Sequence, residues 1–315
     1  ALRGSLGLHA LGRRGRVSLH VPLQVVQRRV GAHVRLRPLV LEAVVLPRGH
    51  FKTTIATISY PLWRALRDPN IRILIVNATA TNAEKFLSSI KWHIENNGLL
   101  RALWPDVLPD TKKVRWASEV AELRRSRAWQ EGTFEAIGVG GAVASRHYDL
   151  VVKDDLVDLS EEGDETDVPA LVQRAINWHQ YSKSLFINPE NGEDVVIGTR
   201  WGRDDFLAWV EARECAASLG PSPRAYQKFQ RPAMQGGRPV FPRSADGKHG
   251  FSVEGLEELR IILGPYKYSG QYSLDPCDPS VAEFKPQWLR YWDLTEGGRL
   301  RLDSTADRRG DPICL

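Results

Sequence analysis

Short apolar runs that alternate with amphipathic stretches from residue 41 onward predict an α/β protein, a mainly parallel sheet flanked by helices. Two chemical features sit where such a sheet would use them. A loop bearing glycine, lysine and threonine, Leu46-Pro47-Arg48-Gly49-His50-Phe51-Lys52-Thr53-Thr54, separates the first apolar run from a helix-like stretch. A later run, Leu150-Val151-Val152-Lys153-Asp154-Asp155, ends in two aspartates. The C-terminal edge of the strands is where open α/β sheets bind ligands.

The elements follow in order. Leu41 to Leu46 reads as the first strand and Thr53 to about Leu66 as a helix, which Pro61 should kink because it brings no N–H to the ladder. After the Asp68-Pro69-Asn70 turn, Ile71 to Asn77 is a β-branched strand, and Ala83 to about Glu95 is helical by period. Thr133 to Ile137 and Tyr148 to Val152 are strands on either side of the small-residue turn Gly138 to Ala144. Val168 to Tyr181 is a helix, Val195 to Ile197 a strand, and Asp204 to about Ala217 a helix opened by acidic residues. The Gly/Pro-rich stretch from Leu219 to Gly250 reads as a loose excursion, and Val253 to Leu263 as a last helix. Residues 41–285 thus form one domain, and 286–315 change in character; no internal repeat is present.

Composition limits the alternatives. A chain of 315 residues can bury one full core of about 200 to 250 residues, and 42% apolar with 26% charged residues is ordinary for a globular protein. No run approaches the roughly 18 apolar residues of a membrane span. The sequence pI near 9.1 comes from one place: residues 1–40 hold eight arginines and no lysine or acid, while the remaining 275 residues carry 35 basic against 38 acidic groups. Residues 1–40 lack amphipathic period and read as a non-native or disordered basic segment, the composition expected from a wrong reading frame, rather than as a phosphate-touching arm. Three scattered cysteines make neither a disulfide framework nor a zinc site, which fits a reducing compartment.

The loop chemistry is that of phosphate binding. Backbone N–H groups of such a loop and of the helix N-terminus behind it cradle a β-phosphate, Lys52 neutralises β and γ oxygens, and the Thr53 hydroxyl serves Mg²⁺. Only Gly49 relieves the backbone here; Leu46 and Phe51 stand where the usual template has glycines. The paired carboxylates supply the other half of an ATPase, with Asp154 for metal and Asp155 for the attacking water. An Asp-rich turn is the ordinary alternative, and Lys153 inside the apolar run favours it. A third strand tip, Val195-Val196-Ile197-Gly198-Thr199-Arg200-Trp201, brings a hydroxyl at Thr199 for a γ-phosphate or its water, and Gly198 for close backbone approach.

These segments in this order, with Ala78-Thr79-Ala80-Thr81-Asn82-Ala83 and the run from Leu263-Gly264-Pro265 through Gln271-Tyr272 and Pro276 to Phe284-Lys285 and Trp288-Leu289, resemble the large terminase subunit of tailed bacteriophages over about residues 41–311. The resemblance implies a P-loop NTPase of the ASCE type, an ATP- and Mg²⁺-dependent motor that moves double-stranded DNA into a procapsid, followed by an RNase H-like nuclease. It implies as partners a small terminase subunit and a portal protein, a homo-oligomeric ring, and a place in the host cytoplasm at the procapsid portal. Arg48 resembles the basic residue of that family's variant phosphate loop, whose binding residues would be Arg48, Gly49, His50, Phe51, Lys52, Thr53 and Thr54. Thr199 falls in its coupling motif. Arg146, just before the acidic strand, is the candidate arginine finger, with Arg200 and Arg203 as rivals. Asp303 matches an early metal-binding aspartate of the nuclease, but the other carboxylates that two-metal cleavage needs lie outside this chain, so nuclease activity is expected to be absent.

Two rival readings remain at this stage, a helicase-like nucleic-acid ATPase and a catalytically dead prophage remnant. Trp104, Trp116, Trp129, Trp178 and Trp288 invite a base-stacking role, yet a duplex offers no unstacked bases, so packing is the default for them.

Overall fold

The computed structural model describes residues 41–158, 167–188, 190, 192–215 and 225–276, together with the backbone of 290–294, 300–304 and 310–312. The basic segment 1–40 lies outside the described residues, as do Phe284, Lys285, Trp288 and Leu289. Seven strands form one sheet: β1 (Leu41–Val45), β2 (Ile73–Asn77), β3 (Val120–Ala121), β4 (Phe134–Gly138), β5 (Leu150–Asp154), β6 (Glu193–Gly198) and β7 (Gln227–Gln230), in the spatial order β3-β4-β2-β5-β6-β1-β7. Every neighbouring pair is parallel except β3 with β4. The five predicted strands are its centre. The fold is α/β with a mostly parallel sheet flanked by helices.

Strand alternation divides the side chains between two helical layers. Ile73, Ile75, Leu150, Val152, Val195 and Ile197 pack with α1 (Tyr60–Arg67) and α2 (Ala80–Asn96). Leu74, Val76, Val151 and Val196 pack with α4 (Val168–Ser182) and α5 (Phe206–Glu214) on the other face; the short α3 spans Gly98–Leu103. The cap chemistry is as the residue types require, with Thr79, Asp167 and Asp205 each accepting a backbone N–H at the start of its helix. The helix expected from Thr53 differs in its first half, where Thr53–Ser59 is π-helical before α1 begins. Pro61 cannot donate back to the preceding turn, and that turn takes the wider π form.

The predicted loose excursion was wrong in part. It contains the edge strand β7 and a two-stranded ribbon, β8 (Met234–Gln235) with β9 (Arg238–Pro239). Alternating Gln227-Lys228-Phe229-Gln230 carries too little apolar character to read as a strand, yet β1 offers it a free edge. The last helix, α6 (Val253–Tyr268), runs on past Leu263 through a kink at Gly264, whose φ is 75°. Near the C-terminus, β10 (Arg290–Leu294), β11 (Leu300–Ser304) and β12 (Gly310–Pro312) form an antiparallel sheet in that order. Asp303 lies in β11, and its side chain lies outside the described residues. Among the described residues no helix is long and apolar enough to cross a membrane.

Lys153 accounts for its own place in the apolar run. It points into the α4/α5 layer, fully buried, and donates to Asp194 Oδ2 at 2.7 Å while facing His179 Nδ1 at 3.1 Å. Tyr226 OH donates to the same Asp194 oxygen at 2.6 Å, Lys183 reaches both Asp194 and Glu214, and His179 Nε2 meets Glu214 at 2.9 Å. One network therefore ties β5, β6, α4, α5 and the start of β7. Burial pushes the Lys153 ammonium down to about 8 and, with the Lys153 charge beside it, the His179 imidazole down to about 4. Asp194 is held well below the usual carboxylate range by Lys153 and Lys183, against the opposing effect of its burial.

A histidine kept neutral in the fold binds its proton more readily when unfolded, so stability rises with pH between the two values and is lost as pH falls from about 6.5 toward about 4. Thermal unfolding of the wild type between pH 7 and pH 5 should show this decline. His179→Gln removes the titrating group and should flatten it; an unchanged slope would show that His179 is not its source.

Candidate active site

Three neighbouring strand tips meet at the C-terminal edge. β6 lies between β1, which leads into the loop, and β5, which ends at the acid pair, with Val45 level with Gly198 and Asp154 level with Ile197. The base of the loop is clamped to β6: Leu46 N–H donates to Gly198 O at 3.2 Å, and Thr199 Oγ1 donates to Leu46 O at 2.8 Å. Thr199 was expected to offer its hydroxyl proton to a phosphate. It spends that proton on the loop backbone, so its place here is that of a positioning residue.

Within the loop, Gly49 and Phe51 both have positive φ, 74° and 56°. The position where a glycine was expected therefore has the backbone that glycine favours, although a bulky side chain occupies it. Lys52 follows in the right-handed helical region, and alternation of left- and right-handed residues is the backbone pattern of anion-binding concavities. His50 Nδ1 donates to Arg48 O at 2.9 Å, while its Nε2 is buried without a partner. Burial and the nearby Lys52 charge lower the His50 pKa, against the pull of that backbone bond. Arg48 is exposed, with its guanidinium over the Trp201 ring at 4.7 Å. The Thr54 carbonyl accepts from Ser59 Oγ at 2.8 Å, inside the π-helical turn.

The acid pair meets the loop directly. Lys52 Nζ lies 3.2 Å from Asp155 Oδ2. Asp155 leaves the strand with φ at 46°, its N–H held by Ile197 O and its carbonyl accepting from Ala78 N–H. A Cβ at Gly198 would stand 3.3 Å from Asp155 Oδ1 and 3.0 Å from Leu207 Cδ1, so the glycine makes room for this carboxylate. Asp154 points into the opposite layer from Lys153, fully buried, and accepts from Thr57 Oγ1 at 2.6 Å. Asn77 braces the same turn by donating to Asp154 O at 2.8 Å and accepting from Thr79 N–H at 3.1 Å. The Ala78–Ala83 run itself contributes the Ala78 N–H to Asp155 O and the Thr79 cap of α2.

Desolvation, reinforced by the neighbouring Asp155 charge, raises the Asp154 pKa to about 6, while Thr57, Lys52 and Thr53 pull it the other way. Its Oδ1 is buried and has no hydrogen-bond partner. An orphaned carboxylate oxygen beside a threonine hydroxyl fits a hard divalent cation. Among the described residues no group of three or more His, Cys, Asp or Glu forms a preformed metal cage. Mg²⁺ does not need one, because it is commonly held by one or two protein oxygens plus phosphate and water.

Arg146 does not join this cluster. It sits ahead of β5, at the N-terminal edge of the sheet, paired with Glu135 at 2.8 Å. With about 3.3 Å of rise per strand residue, the five residues of β5 set it roughly 15 Å from the acid pair along the strand. Arg200 is engaged with Asp205 at 2.9 Å, whereas Arg203 is exposed after the tip of β6. Of the tryptophans, Trp178 is buried, Trp116 Nε1 donates to Glu95, and Trp129 Nε1 donates to Asn70 O, so these three are packing residues. Thr57 was missed by sequence reading. Its only sequence signal is its spacing, one turn after Thr53, on a helix whose facing partner was unknown.

Comparison with protein-family models and with curated proteins returns no match for this chain.

Thr57→Val removes the donor to a buried carboxylate and should destabilise the protein by about 1–3 kcal/mol. Thr57→Ser should recover most of that loss. Urea unfolding at pH 7.5 reads both, and equal stability of all three proteins would show that the bond contributes nothing.

Proposed function

We propose that this chain is a P-loop ATPase of the ASCE type and the motor part of a phage terminase large subunit, using ATP hydrolysis to move double-stranded DNA into a procapsid. The observation that carries the reading is the Lys52–Asp155 contact at 3.2 Å, beside an Asp154 oxygen that is buried and unpartnered. A cation on a phosphate loop, a water-orienting acid and a metal-seeking acid are the parts that phosphoryl transfer needs at one place. One strand between the loop strand and the acidic strand supports the ASCE form, since it spaces the acid pair from the loop and leaves room for an attacking water.

In this reading the loop N–H groups and Lys52 bind the β and γ phosphates. Lys52 exchanges Asp155 for phosphate oxygen, and the released Asp155 carboxylate accepts a hydrogen bond from the water that attacks the γ phosphorus. Asp154 Oδ1 and the Thr53 hydroxyl would hold Mg²⁺, which neutralises charge on the phosphate oxygens. Thr57 fixes which Asp154 oxygen is presented, and Thr199 holds the loop against β6. Arg203 is better placed than Arg146 to reach a neighbouring subunit's nucleotide, because it is exposed on the edge that bears the site. Double-stranded DNA, a small subunit, a portal protein, a ring of copies and action at the procapsid in the host cytoplasm belong to the same proposal, and Asp303 to the metal site of a nuclease.

Wild-type protein with Mg²⁺ should hydrolyse ATP, faster with double-stranded DNA present. Lys52→Ala should lower kcat/KM by about 100-fold or more, while Asp155→Asn keeps ATP binding and loses turnover. Wild-type binding without turnover would favour the inactive remnant, stimulation by single strands alone would favour a helicase-like enzyme, and folded protein that takes up no ATP would end the nucleotide reading.

A further inference from the structure

Phe51 presents a physical problem that the loop does not solve for itself. A bulky L-residue at φ 56° is a true outlier, and such conformations persist only where the surroundings over-determine them. The surroundings come from residues about 190 positions later in the chain. The Phe51 ring meets the Phe241 ring edge-on, with centroids 5.0 Å apart, and that of His249 at 6.1 Å. His50 stacks on Phe251, at 4.8 Å and 15° between planes. A Cβ at Gly49 would lie 2.9 Å from Phe251 Cζ, so this ring is pressed against the loop backbone as well.

The two phenylalanines stand at the two ends of one closed turn. Phe251 N–H donates to Phe241 O and Arg243 N–H to Phe251 O, both at 2.9 Å, and Ser244 N–H to His249 O at 2.7 Å. Gly250, with φ 77°, lets the two arms approach; a Cβ there would stand 2.2 Å from Pro242 O. Phe251 in turn packs on a small core of its own, Ala233, Leu256 and Tyr272. The turn is therefore anchored independently of the loop that it touches.

We propose that Phe241 and Phe251 are positioning residues of the phosphate loop, an aromatic clamp that holds Phe51 in the left-handed conformation a glycine would adopt without help. The inference rests on the reading of residues 46–54 as a triphosphate-binding loop, and it makes the segment after β9 part of that site. A clamp of this kind has a signature that ordinary packing lacks: it becomes dispensable once residue 51 is glycine.

The test is a double-mutant comparison of Phe241→Ala, Phe251→Leu, Phe51→Gly and each clamp variant combined with Phe51→Gly. ATP affinity is measured by calorimetry in EDTA, and amide hydrogen exchange is followed at residues 48–52. The clamp variants should weaken ATP binding about tenfold, the scale of a left-handed penalty no longer compensated, and should speed exchange in the loop. Phe51→Gly sets its own reference affinity, and either clamp variant added to it should leave that reference little changed. Phe241→Ala alters a partly exposed ring and Phe251→Leu keeps an apolar side chain, so both should fold. Equal losses with Phe51 and with glycine at position 51, or clamp variants with wild-type affinity and exchange, would overturn the proposal. If the wild type takes up no ATP, the nucleotide reading fails, and loop exchange across the same variants still decides for or against the clamp.

Discussion

Two opposite charges on consecutive residues of one buried strand govern this structure. The period of two in β5 sends Lys153 into one helical layer and Asp154 into the other, and both side chains are fully buried. Neither charge compensates the other, so each needs its own partners. Lys153 finds them in Asp194 and His179, which draws β6 and α4 into register with β5. Asp154 finds Thr57 on the helix that follows the loop after β1, and this bond sets how that helix sits over the strand tip. Removing one partner from such an arrangement leaves a charge in a low-dielectric interior, which costs far more than the pair contributes. The site's geometry is in this sense enforced by electrostatics on both faces of one strand.

The loop adds constraints of a different kind. Hydrogen bonds from Leu46 and to its carbonyl fix its base against β6, Lys52 joins it to Asp155, and rings from a distant turn press on Gly49, His50 and Phe51. A phosphate loop rich in glycine reaches its conformation at low steric cost. The loop after β1 has a single glycine between Leu46 and Lys52, and Phe51 there has the positive φ that glycine favours, under external support. Two residues with positive φ flank the Lys52 contact, Phe51 immediately before Lys52 and its partner Asp155. Backbone strain of this sort gathers where geometry is under functional constraint.

The five central strands, the loop between the first strand and helix, and the paired aspartates were all legible in the sequence. Apolar runs of β-branched residues cannot be solvated, and their periods reveal which faces they bury. The acidic cap of α5 was legible for the same local reason, since Asp205 acts on an N–H group three residues away, whereas the Thr79 cap of α2 was not read. Strand β7 was not legible, because its polar residues become a strand only where β1 presents an unpaired edge. Arg146 looked as suitable as any arginine near the acidic strand, and only the direction of β5 shows that it lies at the other end.

What the sequence alone determined is the list of parts and their order along the chain, because composition, periodicity and capping are local. What only the tertiary structure decided is which parts meet. Thr57 reaches across 97 residues to Asp154, Thr199 across 153 to Leu46, and Phe241 lies against Phe51. Strand order put β6 between the loop strand and the acidic strand, and it thereby gave Thr199 a backbone carbonyl to hold. Such contacts depend on long-range packing and on a parallel order that no local stretch encodes, and the buried charges of Lys153 and Asp154 make that order costly to change.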